Sequence, residues 1–308
     1  MDALYFCEVV LDALTPAENN REMFDTRSSL RHHARVVAMR SPRRRTVRLI
    51  GLALLALMRF DGVHASAGQT GTAPAVPVLV ELFTAEGCSS CPPADVLLEK
   101  MIEAQPASGA EIVALGQHVD YWNQSGWKDR FSSAAFTKRQ QLYGAHFRNE
   151  DIYTPQMVVD GEAGFVGTDV AAARRAIEHA ISVPHGIVHL SLDPLPRDKA
   201  AIAVLIDVSG LPGLGRDDPA DLIVAVTEDR LRTEVKHGEN QGRTLTHAAV
   251  VREMRTVGDV TAADGSARAT IAVFADWRRE NLKIISFVQQ RRSRRVLATA
   301  ALRLDSRQ

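Results

Sequence analysis

Val78-Leu79-Val80-Glu81-Leu82-Phe83-Thr84-Ala85-Glu86-Gly87-Cys88-Ser89-Ser90-Cys91-Pro92-Pro93-Ala94-Asp95 opens with an apolar run and breaks at Gly87. Val78 to Val80 with Leu82 and Phe83 has the length of a buried strand. From Ala94 a helical pattern runs through Val96, Leu97, Leu98 and Met101. Between strand and helix stands Cys88-Ser89-Ser90-Cys91. Two intervening residues on a first helical turn bring two sulfurs within bonding reach. Cys88 then lies at a helix N-terminus, where unpaired N–H groups and the helix dipole favour a thiolate. A thiolate attacks a disulfide, and a second cysteine resolves the mixed disulfide. Cys88 is therefore the candidate attacking thiol and Cys91 the resolving one. Pro92 costs little in a first turn, where its missing N–H has no helical partner.

The chain has 308 residues, 45% hydrophobic and 24% charged, with equal numbers of basic and acidic side chains. That length suits about two domains. Zero net charge gives no hint of nucleic-acid binding, and no nucleic-acid partner is expected. Of the three cysteines, Cys7 lies in a segment expected to be absent from the mature protein, which leaves the single pair.

Residues 1–38 show no periodic pattern and read as a disordered upstream extension. Residues 39–67 read as a signal peptide. Met39 to Arg45 is a basic n-region, Leu49 to Met58 an apolar h-region too short to span a bilayer, and Ala65-Ser66-Ala67 a cleavage site. Removing residues 1–67 takes away ten basic and seven acidic side chains, leaving 27 and 30 and a net charge of −3. Residues 68–77 form a Gly/Ala/Pro-rich linker. The expected location is periplasmic or secreted, where disulfides persist, with no membrane contact after cleavage.

Beyond the first helix, expected over Pro93 to Ala104, Ile112 to Leu115 is a second apolar strand ending in Gln117-His118-Val119-Asp120-Tyr121-Trp122. Strand, helix, strand implies a right-handed crossover and a parallel pair. Functional groups in such sheets gather beyond the strands' carboxyl ends, so His118, Asp120, Tyr121 and Trp122 are candidate modulators of the cysteines. A helical insertion is expected at 121–150, with Ser132 or Ser133 capping a helix to Tyr143. Asp151 to Gly161 then places Pro155 at a strand start and Asp160-Gly161 in a hairpin turn. Ala163 to Val166 is the partner strand, and Asp169 caps a helix to Ile181. This order is that of an α/β thioredoxin-like domain over residues 78–184.

From Gly186 short strands follow: Ile187 to Leu192, Ala201 to Val208, Leu222 to Thr227, Thr270 to Phe274, Leu282 to Val288 and Arg295 to Ala301. They predict a β-rich, sandwich- or barrel-like domain over 185–308, with the boundary near Pro184. Gly238 to His247 reads as a loop that could fold over the cysteines or bind an anion through its amides, the ordinary turn being the simpler expectation. No P-loop, dinucleotide fingerprint, H-E-x-x-H or G-x-S-x-G is present.

The runs CSSCPPAD (Cys88 to Asp95), HVDYW (His118 to Trp122), GWKD (Gly126 to Asp129) and YTPQMVVDG (Tyr153 to Gly161), in that order, resemble an uncharacterised family of secreted bacterial thioredoxin-like proteins carrying a domain-of-unknown-function label. GENQGRTLTH (Gly238 to His247) and Val250-Val251-Arg252 extend the resemblance to about residues 77–300. It implies the fold, an export signal and a dithiol site, with a cis Thr154–Pro155 bond against the disulfide and a substrate strand held at Thr154 and Pro155. Asn123 stands where an acidic residue is expected, which weakens a metal role for that corner.

Three functions fit. The first is an exported thiol–disulfide oxidoreductase acting on protein or small-molecule thiols and disulfides, with no cofactor besides its redox-active disulfide. The second is a copper or zinc binding or delivery protein using Cys88, Cys91 and His118. The third is a binding protein whose disulfide is only structural.

Overall fold

The computed structural model describes residues 74–104, 109–149, 151–193 and 201–304. The expected extension (1–38), signal peptide (39–67) and most of the linker lie outside the described residues. No helix among the described residues is long and apolar enough to cross a membrane.

β1 (Val76–Thr84) and β2 (Ala110–His118) lie side by side and parallel, with Thr84 opposite His118 at their carboxyl ends. The crossover between them is α1 (Pro92–Glu103), with a proline in its first turn. After a 3₁₀ turn at Tyr121–Gln124 comes α2 (Ala134–His146), capped by Ser133, whose hydroxyl accepts from the Ala135 N–H. β3 (Gln156–Val159) and β4 (Ala163–Val166) form the expected hairpin, and β3 runs antiparallel to β1. α3 (Val170–Ser182) is capped by Asp169 through the Ala172 N–H.

The strand period of two sorts β1 and β2 between two layers. Val78, Val80, Leu82, Ile112 and Ala114 pack under α1 and α3, against Leu97, Leu98, Met101 and Ile177. Leu79, Val113 and Leu115 face the other way, toward Phe136 of α2.

The remaining strands are β5 (Ile187–Leu192), β6 (Ala201–Ser209), β7 (Ala220–Glu228), β8 (Leu231–Glu234), β9 (Thr244–His247), β10 (Val250–Val260), β11 (Gly265–Ala272), β12 (Leu282–Gln290) and β13 (Val296–Arg303). Four of them continue the first sheet, which has eight strands in the order β13-β12-β7-β10-β2-β1-β3-β4. The boundary expected near Pro184 falls between α3 and β5, and the sheet crosses it. Four strands of the C-terminal half thus extend the sheet that β1 and β2 begin. The join is at Gly116, where β10 meets β2 in parallel at Val250. The Gly116 N–H donates to the Ala249 carbonyl at 2.7 Å, and a Cβ there would come within 3.1 Å of the Ala248 carbonyl oxygen.

A second sheet, β11-β6-β5, covers one face of this C-terminal part. Ile202, Val204, Ile206 and Ile271 pack there against Leu222, Val224, Ile284 and Leu297. Of the two expected C-terminal architectures, the stacked layers are seen and the barrel is not. The large sheet is open and mixed, ending in β13 and β4. β8 and β9 pair with each other as a separate two-stranded hairpin.

Candidate functional site

Cys88 and Cys91 sit where β1 hands over to α1, and a disulfide joins them across a Cα separation of 5.4 Å. Short turns set this up: the Cys88 N–H donates to the Ala85 carbonyl and the Cys91 N–H to the Cys88 carbonyl. Cys91 is the N-cap of α1. Both cysteines are fully buried, while Ser89 and Ser90 between them are exposed. Cys88 Sγ lies 3.3 Å from Ser90 Oγ and 3.9 Å from the Thr154 carbonyl oxygen. The Thr154–Pro155 peptide bond is cis.

The four candidate modulators divide. The Trp122 indole N–H donates to Thr154 Oγ1 at 2.7 Å, and Tyr121 packs with Trp122 against the cysteine cluster. The Tyr121 hydroxyl donates to Gln140 Oε1, which anchors the ring to α2. Asp120 is a local brace: its Oδ1 accepts from Thr137 Oγ1. Buried His118 places Nδ1 2.6 Å from Asp129 Oδ2. Of the alternative set Cys88, Cys91 and His118, the two sulfurs are bonded to each other and the His118 Nδ1 is held by Asp129. Among the described residues no group of three or more His, Cys, Asp or Glu side chains is arranged to hold a metal ion. Asn123 ties its loop together, accepting from the Asp129 N–H and donating to Ser132 Oγ.

A cluster of buried polar groups lies under α1, and apart from His118 its members had no assigned role in the sequence. Asp129 Oδ2 also accepts from the Glu86 N–H, and Glu86 Oε2 accepts from the Trp127 indole. His247, from the end of β9, places Nε2 3.3 Å from Glu86 Oε1, and its ring centre is 4.9 Å from that of His118. Neither nitrogen of His247 makes a hydrogen bond of good geometry to a described residue. Asp95, one turn beyond Cys91 on α1, faces Thr84, His118 and His247. The residue keeps part of its surface exposed, but its carboxyl group is enclosed. Loss of solvation pushes the Asp95 pKa up against the pull of the two histidines. Burial opposes charge on His118, yet the Asp129 carboxylate outweighs it and raises the pKa. Burial would raise Asp129 too, but His118 and the Glu86 and Phe131 N–H groups hold it down at about 2.

The roof comes from the C-terminal half. The β8–β9 hairpin reaches back, and its tip, Val235 to Arg243, lies on the cysteine loop. Buried Asn240 donates from Nδ2 to the carbonyls of Glu86 and Cys88, each at 2.9 Å. The Ser89 N–H donates to Glu239 Oε2 at 3.0 Å. Gly238, at φ +78°, lets the tip approach closely, since a Cβ there would come within 3.0 Å of the Ser125 carbonyl oxygen. Gly238 to Arg243 thus folds over the cysteine loop, as one reading of the sequence expected. Asp95, Asp129, Asn240 and His247 all stood inside runs that could be quoted from the sequence. The signal was present as polar residues at fixed places, without anything to say which faced inward.

A crystal structure of an Agrobacterium tumefaciens protein is similar at 26% identity and a TM-score of 0.60, covering 77% of this chain and 98% of that one. The HBP35 protein of Porphyromonas gingivalis is similar at 14% identity and a TM-score of 0.54, covering 76% of this chain and 77% of that one, a likeness of fold alone. No curated protein matches the chain. The family model described as "Protein of unknown function (DUF1223)" matches residues 79–289, and the chain belongs to that family.

Proposed function

We propose that this protein is an exported thiol–disulfide oxidoreductase with a thioredoxin-like site, working in the periplasm or outside the cell. The observation that carries the reading is the disulfide at the junction of β1 and α1, with Cys91 capping the helix and Cys88 facing the Thr154 carbonyl. The positive end of the α1 dipole there favours a thiolate once the bond is reduced.

The cycle follows from the positions. The Cys88 thiolate attacks one sulfur of a substrate disulfide, that S–S bond breaks, and the departing sulfur leaves as a thiolate that takes up a proton. Cys91 then attacks Cys88 Sγ, the mixed disulfide breaks, and Cys88–Cys91 re-forms. Two electrons and two protons pass from the protein dithiol to the substrate, and the reverse sequence oxidises a dithiol. Cys91 has no contact with water, so its proton needs an internal acceptor, and Asp95 is one helical turn away. A protein or small-molecule partner would lie along Thr154 and Pro155, beside the Trp122 indole.

The complete burial of both cysteines favours a second reading, in which the disulfide is a structural clip. The reduction potential separates the two. Titrated against glutathione or dithiothreitol buffers and read by alkylation and mass, exchange chemistry gives a value between about −120 and −270 mV. A value below about −300 mV makes the bond structural and ends the oxidoreductase reading.

A further inference from the structure

We propose that the tip of the β8–β9 hairpin is a redox-responsive lid, latched over the Cys88–Cys91 disulfide and released when that pair is reduced. The proposal rests on the dithiol reading of the same site and names its regulation.

The latch has two parts of different chemistry. Asn240 is neutral and buried, and it holds the carbonyls on either side of Gly87 through one side-chain amide. Arg243 Nη1 donates to Asn240 Oδ1 at 2.8 Å and fixes that amide's orientation. Glu239 is an exposed carboxylate held by the N–H of Ser89, the residue next to Cys88. In the disulfide state Cys88 carries no charge, and the N–H is free to serve the carboxylate. Reduction by a dithiol transfers two electrons and two protons: the S–S bond breaks, the reductant closes its own disulfide, and two thiols form. Ionisation of the Cys88 thiol then releases a proton and leaves a negative sulfur on the residue next to Ser89, whose N–H holds the Glu239 carboxylate. Like charges repel. The carboxylate arm of the latch therefore weakens in the reduced state alone.

The tip is built to move as a unit. β8 and β9 pair with each other and belong to neither larger sheet, so lifting the tip breaks no ladder of those sheets. Its own turn stays closed through the Gly242 N–H to the Val235 carbonyl and the Gln241 N–H to the Gly238 carbonyl. Opening costs the three latch contacts, the seat of Gly238 on Ser125 and Trp127, and the burial of Val235. The consequence is directional. The oxidised site is shielded from stray thiols, and the reduced site is presented to a disulfide substrate.

Two measurements test the lid. The first is the rate at which dithiothreitol reduces the disulfide in the intact protein, read by quenched alkylation. Removing two buried hydrogen bonds with Asn240→Ala raises that rate about tenfold or more. A rate within twofold of the parent protein, in a variant that keeps the native circular dichroism, overturns the proposal. The second measurement needs no disruptive variant. Amide hydrogen exchange at residues 235–243 is faster in the reduced protein than in the oxidised one, and Glu239→Gln shrinks that difference. Equal exchange in both redox states overturns the proposal even if Asn240→Ala fails to fold. The outcomes are separable from those for the proposed function. A potential too low for exchange ends the oxidoreductase reading while leaving the accessibility result standing. A potential in the exchange range with no lid effect ends the lid alone.

Discussion

The two cysteines differ in what their removal would do. Cys88 is the sulfur beside Thr154, the approach a substrate would take, whereas Cys91 is locked into the helix cap. Cys91→Ser therefore leaves an attacking thiol with no partner to resolve it. Incubated with an oxidised peptide, that variant accumulates a mixed disulfide seen as an added mass, and Cys88→Ser accumulates none under the same conditions. Adducts on both variants, or on neither, would remove the assignment of roles. The His118–Asp129 pair supports a prediction about pH. Asp129 sits at about 2 in the folded protein against an ordinary 3.8, so its contribution is complete above about pH 4 and is lost as pH falls through about 2. His118 is raised above its ordinary 6.5, so its contribution is complete below that value and is lost as pH rises through the folded-state pKa. Both contributions are whole only between about pH 4 and 6.5. Asp129→Asn lowers stability there by an amount on the order of 2 kcal/mol and flattens the decline above neutral pH, as urea unfolding at several pH values will read. An unchanged alkaline limb would show that the pair does not set it.

At the scale of elements, local signals and tertiary demands separate cleanly. The helix caps were legible because they depend on neighbours in sequence. Ser133 accepts from Ala135, and Asp169 accepts from Ala172. Ser133→Ala removes such a cap and costs about 1 kcal/mol in a thermal or urea melt without touching the cysteine corner. A loss above about 3 kcal/mol would mean that Ser133 does more than cap α2. The Asp160-Gly161 turn was legible for the same reason, with both residues at positive φ. What the turn also does was not. Asp160 Oδ1 accepts from the Leu79 N–H, and Oδ2 lies 3.0 Å from His185 Nε2, contacts made across 81 and 25 residues of chain. β10 was missed for a different reason. Val250 and Val251 are buried, but the next nine residues are half-buried or exposed, and the pairing slips at two bulges. A strand with one wet face and two register shifts loses the clean alternation that marks a strand in sequence. The local structure of the cysteine motif, by contrast, was legible because strand, turn and helix start are consecutive.

At the scale of the whole molecule, β10 decides whether residues 78–184 could stand alone. Leu79, Val113, Leu115 and Phe136 share their core with Ile223, Ala225, Val251, Ile285, Phe287 and Val296, all from beyond Pro184. A chain ended at Pro184 keeps the helices and the β1–β2 pair. It loses the apolar partners on one face, the strand bordering β2 at Gly116, and the hairpin roof over the disulfide. Each large side chain returned to water forfeits about 1.5–3 kcal/mol. Four of them together approach the whole net stability of a typical domain, about 5–15 kcal/mol. The shortened chain is therefore expected to show helical far-ultraviolet dichroism without a cooperative melt, and to bind a hydrophobic dye. A sharp two-state transition in that fragment, with the near-ultraviolet signal of fixed aromatic packing, would establish that the N-terminal half is an independent folding unit. The continuity of the sheet across Gly116 would then be a docking of two domains, and the lid would be a contact between them. Without such a transition, the dithiol corner and the hairpin that covers it are products of one folding event, and neither half of the chain has the site by itself.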